Sequence, residues 1–200
     1  MSTGQSFGSQ STNGKLRLHK SGDVARCFVA LFPDPVAREG LDALAQKVQK
    51  DHAGSRRMQR GQLHLTLAFI GPLAEQRGNQ VAQILDAVPI EPFVWTLDRI
   101  GGFARAHVLW VGGNQEPRLT ALAQIVRESL DDTMVSYDRK AFSAHVTLLR
   151  NITNVPSFSL DTPILWHVTR PYLVVSDRDS NGDIQYRCWG DQPCANASRT

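Results

Sequence analysis

From residue 26 onward, short apolar runs alternate with stretches in which apolar residues recur every three or four positions. The run RCFVALF, residues 26–32, reads as a strand. Pro33-Asp34-Pro35 ends it and opens a helix whose apolar face is Ala37, Leu41, Leu44, Ala45 and Val48. LHLTLAFI, residues 63–70, reads as a strand stopped by Gly71-Pro72. A second helix follows over residues 74–88, with Val81, Ile84, Leu85 and Val88 on one side. FVWTLDRI (93–100) and HVLWVG (107–112) read as two strands around a glycine-rich loop. Pro117 opens a third helix carrying Leu119, Leu122, Ala123, Val126 and Leu130. AHVTLLR (144–150) is the next strand. WHVTRPYLVVS (166–176) and IQYRCW (184–189) face each other across the turn-forming Asp179-Ser180-Asn181-Gly182-Asp183. The order βαβαββαβββ is an α+β pattern.

The two ends lack this patterning. Residues 1–24 and 190–200 are polar and carry too few apolar groups to offset their ordering entropy, so a disordered leader and a flexible tail are expected. One folded domain is left, residues 25–189. With 42% hydrophobic and 20% charged residues the chain reads as an ordinary globular protein. A net charge of +3 suits an anionic ligand without requiring one. No apolar run approaches the roughly 18 residues of a membrane span, and the N-terminus has no apolar signal core. A cytoplasmic protein with no membrane partner is expected. Cys27, Cys188 and Cys194 are odd in number and show no C-x-x-C spacing, which argues against a disulfide framework or a zinc site.

Two of the strands share a motif. HLTL begins at His64, and HVTL begins at His145, 81 positions later. From ordinary residue frequencies such a duplication arises by chance only about once in a hundred. Each copy lies on a strand preceded by a helix, as two similar βα-containing halves would arrange it.

Strand alternation assigns the faces. Leu63, Leu65, Leu67 and Phe69 are expected in the core, with His64, Thr66 and Ala68 opposite. In the second copy Val146 and Leu148 point inward, and His145, Thr147 and Leu149 outward. Each motif therefore displays an imidazole beside a hydroxyl. Two groups titrating near neutrality suit a reaction that removes one proton and supplies another. Each hydroxyl can donate to an anionic oxygen. Arg56, Arg57 and Arg60 precede the first motif; Arg139 and Lys140 precede the second, and Arg150 follows it. By parity Arg150 reaches the histidines only if its strand ends or bulges. These parts suggest in-line phosphoryl chemistry without a metal. Two histidines with no neighbouring carboxylate are a poor ligand set. No phosphate-binding glycine loop, H-E-x-x-H or G-x-S-x-G pattern is present.

Paired H-x-T-x motifs at this separation resemble those of the 2H phosphoesterases. With the flanks RCFVALFPDPVAREGL, QLHLTLAFIGPL, HVLWVGG, FSAHVTLLR and LVVSDRDSNGDIQYRCW, the chain resembles their RNA 2′,3′-cyclic phosphodiesterase branch, historically called 2′-5′ RNA ligases. The resemblance implies a bilobal α+β fold, two pseudo-symmetric lobes with mainly antiparallel sheets flanking a central cleft. It implies metal-free hydrolysis of an RNA 2′,3′-cyclic phosphate to a 2′-phosphomonoester, with no cofactor and no obligatory protein partner. Carried over, His64 is the proton donor and His145 the acceptor; Thr66 and Thr147 contact the phosphate. Arg150, Arg57 and Phe28 are then substrate-binding residues. Met58, after Arg57, stands where the family often has an aromatic residue. The alternatives are 2′-5′ ligation or 2′-5′ hydrolysis, hydrolysis of a small cyclic nucleotide, and a non-enzymatic protein that binds RNA ends.

Overall fold

The computed structural model describes residues 24–190. The leader and tail expected at the two ends fall outside the described residues. In chain order the elements are β1 (Val24–Leu31), α1 (Pro35–Gln49), β2 (Arg56–Arg57), a 3₁₀ turn (Arg60–Gln62), β3 (Leu65–Ala74), α2 (Glu75–Ala87), β4 (Phe93–Phe103), β5 (Val108–Gly112), α3 (Pro117–Asp132), β6 (Val146–Arg150), β7 (Phe158–Val168), β8 (Tyr172–Arg178) and β9 (Ile184–Cys188). They form a four-stranded sheet, β3-β1-β8-β9, and a five-stranded sheet, β2-β6-β5-β4-β7. Every strand pairing is antiparallel. The fold is the expected α+β arrangement of two sheets, with one motif strand in each.

The helices start where local chemistry directs. Asp34 caps α1, accepting from the backbone N–H groups of Val36 and Ala37 at 3.0 and 3.1 Å, with Pro35 in the first turn. Its second carboxylate oxygen accepts from the His167 N–H at 2.8 Å, which ties the start of α1 to β7. Each motif strand is reached through a helix that covers the other sheet. α1 leads towards β3 but lies against β6 and β7, whereas α3 leads to β6 but lies against β3. This crossing merges the inner faces of both sheets into one buried cluster that contains Leu31, Leu41, Leu67, Leu97, Val126 and Leu148. The two motif strands are thus anchored in one common core.

Several boundaries differ from the sequence reading. Gly71-Pro72 does not end β3. This is an edge strand, where a missing N–H costs no ladder bond. Gly101 and Gly102 are not a loop; they lie inside β4, and a Cβ on Gly101 would sit 2.5 Å from the Trp110 ring opposite. The turn falls instead at Ala104–Ala106 and closes on His107 in the left-handed region, φ 53°. The run 166–176 is two strands in different sheets, separated around Pro171, whose ring cannot continue a ladder. Cys188 is disulfide-bonded; an odd number of cysteines leaves one thiol over but does not exclude a pair. Cys27 is the free buried cysteine among the described residues, and burial pushes its thiol up to about 12.

Candidate active site

His64 and His145 each occupy the residue just before a strand, β3 and β6 respectively. Both rings are held the same way. His64 Nδ1 donates to the Gln62 carbonyl at 2.6 Å, and His145 Nδ1 donates to the Ser143 carbonyl at 2.7 Å. A carbonyl only accepts, so each Nδ1 carries a proton and each Nε2 is left for chemistry. The Nε2 of His64 lies 3.1 Å from Thr66 Oγ1.

Gln62 is buried and holds the turn beneath His64. Its Oε1 accepts from the Gln59 N–H at 3.0 Å, and its Nε2 donates to the Ile184 carbonyl at 2.6 Å. Nothing in the local sequence marks Gln62 for this role, since its partner Ile184 lies 122 positions away.

The expected alternation holds from each histidine to its threonine and then changes in both motifs at the same place. The β1–β3 register skips Leu67, and the β5–β6 register skips Leu148. Each is a one-residue bulge. Two consecutive residues are therefore buried, Leu67 with Ala68 and Leu148 with Leu149. The residue after them returns to the histidine side: Phe69 in one half and Arg150 in the other. Phe69, expected in the core, is 42% exposed. The carbonyls of the skipped residues are taken up from outside. Leu67 O accepts from Arg127 Nε at 3.3 Å, and Leu148 O accepts from the Met58 N–H at 2.9 Å.

Arg150 is close enough to act electrostatically on both histidines. Burial pushes His64 down to about 4, against the upward pull of the Gln62 carbonyl, and the charges of His145 and Arg150 lower it further. His145 is also lowered, first by burial and then by Arg150, with the Ser143 carbonyl opposing. Both rings are therefore biased towards the neutral form.

Aromatic groups wall both imidazoles. Around His64 stand Phe28 at 4.9 Å, Tyr186 edge-on at 5.1 Å and Phe32 at 6.3 Å between ring centroids. Around His145 stand Phe103, edge-on at 4.9 Å, and Trp110 at 6.3 Å. Phe28 is 3% exposed, so it presses on His64 and leaves little face for a ligand. Tyr186, Phe103 and Trp110 come from distant strands, and the motifs give no signal for them.

Of the two adjacent arginines on β2, Arg57 is not brought to the histidines. It pairs with Asp42 of α1 at 2.6 Å. Arg56 is the neighbour of Arg150 across the β2–β6 ladder. Neither Arg56 nor Arg150 has a carboxylate partner among the described residues. Burial raises the Tyr186 phenol, while the charges of Arg150 and Arg56 lower it, which places all three groups around one space. That space combines two imidazoles, the Thr66 hydroxyl against one of them, and two guanidinium groups with no carboxylate partner among the described residues, while Thr147 follows His145 at the same spacing and stands opposite Trp110. It can hold a phosphate and move protons on either side of it. Among the described residues, no three or more His, Cys, Asp or Glu side chains gather as a metal site would need.

Known proteins share this arrangement of the chain. A 33% identical stretch of 90 residues matches an RNA 2′,3′-cyclic phosphodiesterase of Escherichia coli, covering 44% of this chain and 51% of that protein. An RNA 2′,3′-cyclic phosphodiesterase of Archaeoglobus fulgidus is 30% identical over 128 residues, 62% of this chain and 72% of that protein. The crystal structure of E. coli LigT complexed with 3′-AMP superposes with a TM-score of 0.75 at 26% identity, covering 84% of this chain and 97% of that one. The family model of the 2′-5′ RNA ligase superfamily matches residues 32–180, which span β3, β6 and both histidines. The chain belongs to the 2′-5′ RNA ligase superfamily.

Proposed function

We propose that the protein is an RNA 2′,3′-cyclic phosphodiesterase that opens terminal cyclic phosphates to 2′-phosphomonoesters by two-histidine acid–base catalysis. The observation that carries this reading is the matched pair of imidazoles. Each is fixed through Nδ1, each offers Nε2, and both lie within the field of Arg150. The names of the curated relatives support the substrate class.

In the proposed reaction His145 Nε2 accepts a proton from water as the water oxygen attacks phosphorus in line. The P–O3′ bond breaks, and His64 Nε2–H delivers its proton to the leaving 3′ oxygen. The 2′ oxygen keeps the phosphate. Thr66 and Thr147 donate to the non-bridging oxygens, and Arg150 with Arg56 offsets the charge that grows on them. Arg57, held by Asp42 of α1, takes no part in these steps. Phe28 fixes the His64 ring. Each proton moves between groups already present, so the scheme requires no metal and no cofactor.

The substrate is an RNA end or a small cyclic nucleotide, with no obligatory protein partner. No helix among the described residues is long and apolar enough to cross a membrane. We place the activity in the cytoplasm.

The direct test is incubation with an oligoribonucleotide ending in a 2′,3′-cyclic phosphate, followed by phosphorus NMR of the product. A single 2′-phosphomonoester is expected. A 3′-phosphate, or a mixture of isomers, would reject the assignment of donor and acceptor; an unchanged substrate would reject the activity.

A further inference from the structure

Phe69 is an exposed phenyl ring that regular strand alternation would have buried. The bulge at Leu67 carries it out of the core to the side of β3 that bears Thr66 and, just before the strand, His64. The matched bulge at Leu148 puts Arg150 in the field of both histidines. The same backbone device thus serves the catalytic cleft in one half and presents an aromatic ring in the other.

The backbone that carries the ring is fixed on both sides. The Phe69 backbone pairs with Phe28 on β1, and its carbonyl accepts from the Asp138 N–H at 2.8 Å. Phe28 in turn packs on His64 at 4.9 Å. Ordinary strand rise puts Phe69 about 10 Å beyond Thr66 along β3. Arg26, two residues before Phe28 and on the same side of β1, holds its guanidinium 6.0 Å from the Phe69 centroid. Arg26 has no carboxylate partner among the described residues, so its charge is uncompensated. Near it on this face stand Ser176, its partner on β8, and Tyr186 on β9. An exposed aromatic ring with a guanidinium over it is a combination that holds single-stranded nucleic acid: the ring stacks a base of any identity, and the cation meets the backbone.

We propose that Phe69 and Arg26 form a subsite for the nucleotide that precedes the phosphate-bearing one. The phenyl ring stacks its base, and the guanidinium holds the phosphodiester joining the two nucleotides. The site is then built for oligoribonucleotide ends, and a mononucleotide uses only part of it. This rests on the reading of the histidine cleft as the place of the terminal phosphate.

Calorimetric binding of adenosine 3′-monophosphate and of the dinucleotide ApAp separates the two ideas, because neither needs turnover. A stacked base contributes about 5- to 150-fold in affinity. ApAp should therefore bind at least about fivefold tighter than the mononucleotide. Phe69→Ala should abolish that gap while leaving mononucleotide affinity unchanged. Phe69→Trp should keep the gap, and Arg26→Gln should narrow it and flatten its salt dependence. Equal binding of the two ligands by the wild-type protein would overturn the subsite. So would a Phe69→Ala variant that weakens both ligands alike. If the binding pattern holds but cyclic-phosphate ends are not hydrolysed, the subsite stands and the phosphodiesterase reading fails.

Discussion

Arg56 stands opposite Arg150 in the β2–β6 ladder, two guanidinium groups with no carboxylate partner among the described residues. Like charges opposite one another on a sheet are destabilising, so this pairing works against the free fold and in favour of a bound anion. Arg56→Gln should lower kcat/KM on a cyclic-phosphate substrate by roughly 10- to 150-fold, the worth of one hydrogen bond to a charged group. Its melting temperature should not fall. Arg57→Gln should do the reverse, leaving kinetics unchanged and costing at most about 1 kcal/mol through loss of its ion pair with Asp42. Parallel kinetics and thermal melts on both variants check the contrast.

His64→Ala and His145→Ala should each slow turnover by about 10²- to 10⁴-fold with the fold retained. Circular dichroism and single-turnover rates on the two variants make the comparison. Turnover near the wild-type rate in either folded variant would remove that histidine from the proposed chemistry.

The depressed histidines set the pH behaviour of the free protein. One must be neutral and the other protonated, and both titrate below the ordinary 6.5. The bell of kcat/KM should therefore peak on the acid side of pH 6.5, and the bell of kcat should lie higher, because bound phosphate favours imidazolium. Stability has a definite sign as well. The unfolded chain protonates His64 near 6.5 and the folded one only near 4, so stability is full above 6.5 and falls as pH drops towards 4. The slope from this group is at most about 1.4 kcal/mol per pH unit. Denaturant titrations across that window should show it, and His64→Gln should reduce it.

Activity should survive exhaustive chelation with EDTA, since the proposed proton transfers run between imidazoles. The described residues offer no cluster of three or more metal-binding side chains to set against that. Loss of activity on chelation with recovery on adding zinc or manganese would replace the proposed scheme with a metal-assisted one.

Gly101 gives Trp110 its place. A Cβ there would lie 2.5 Å from the indole, which stands 6.3 Å from the His145 ring. Gly101→Ala should destabilise by about 1–3 kcal/mol, as overpacking does. It should also lower kcat by displacing the wall of His145. A melt and a kcat measurement on this variant test both effects.

The chain reveals locally whatever local chemistry decides. The duplicated histidine and threonine, their common side of the strand, the proline and aspartate that start α1, and the apolar stripes of the helices are all legible in the residues. Each depends on neighbours a few positions away. Beyond the threonines the same alternation misplaces Phe69, because a bulge is set by how β3 meets β1, not by its own residues. Arg150 needed the corresponding bulge against β5. That Arg56 and not Arg57 stands beside Arg150 followed from how β2 pairs with β6. Tyr186, Phe103 and Gln62 joined the site through strands and turns far off in the chain. Register, and with it the side on which a residue emerges, is a property of two strands at once, so it is settled only when distant segments pair.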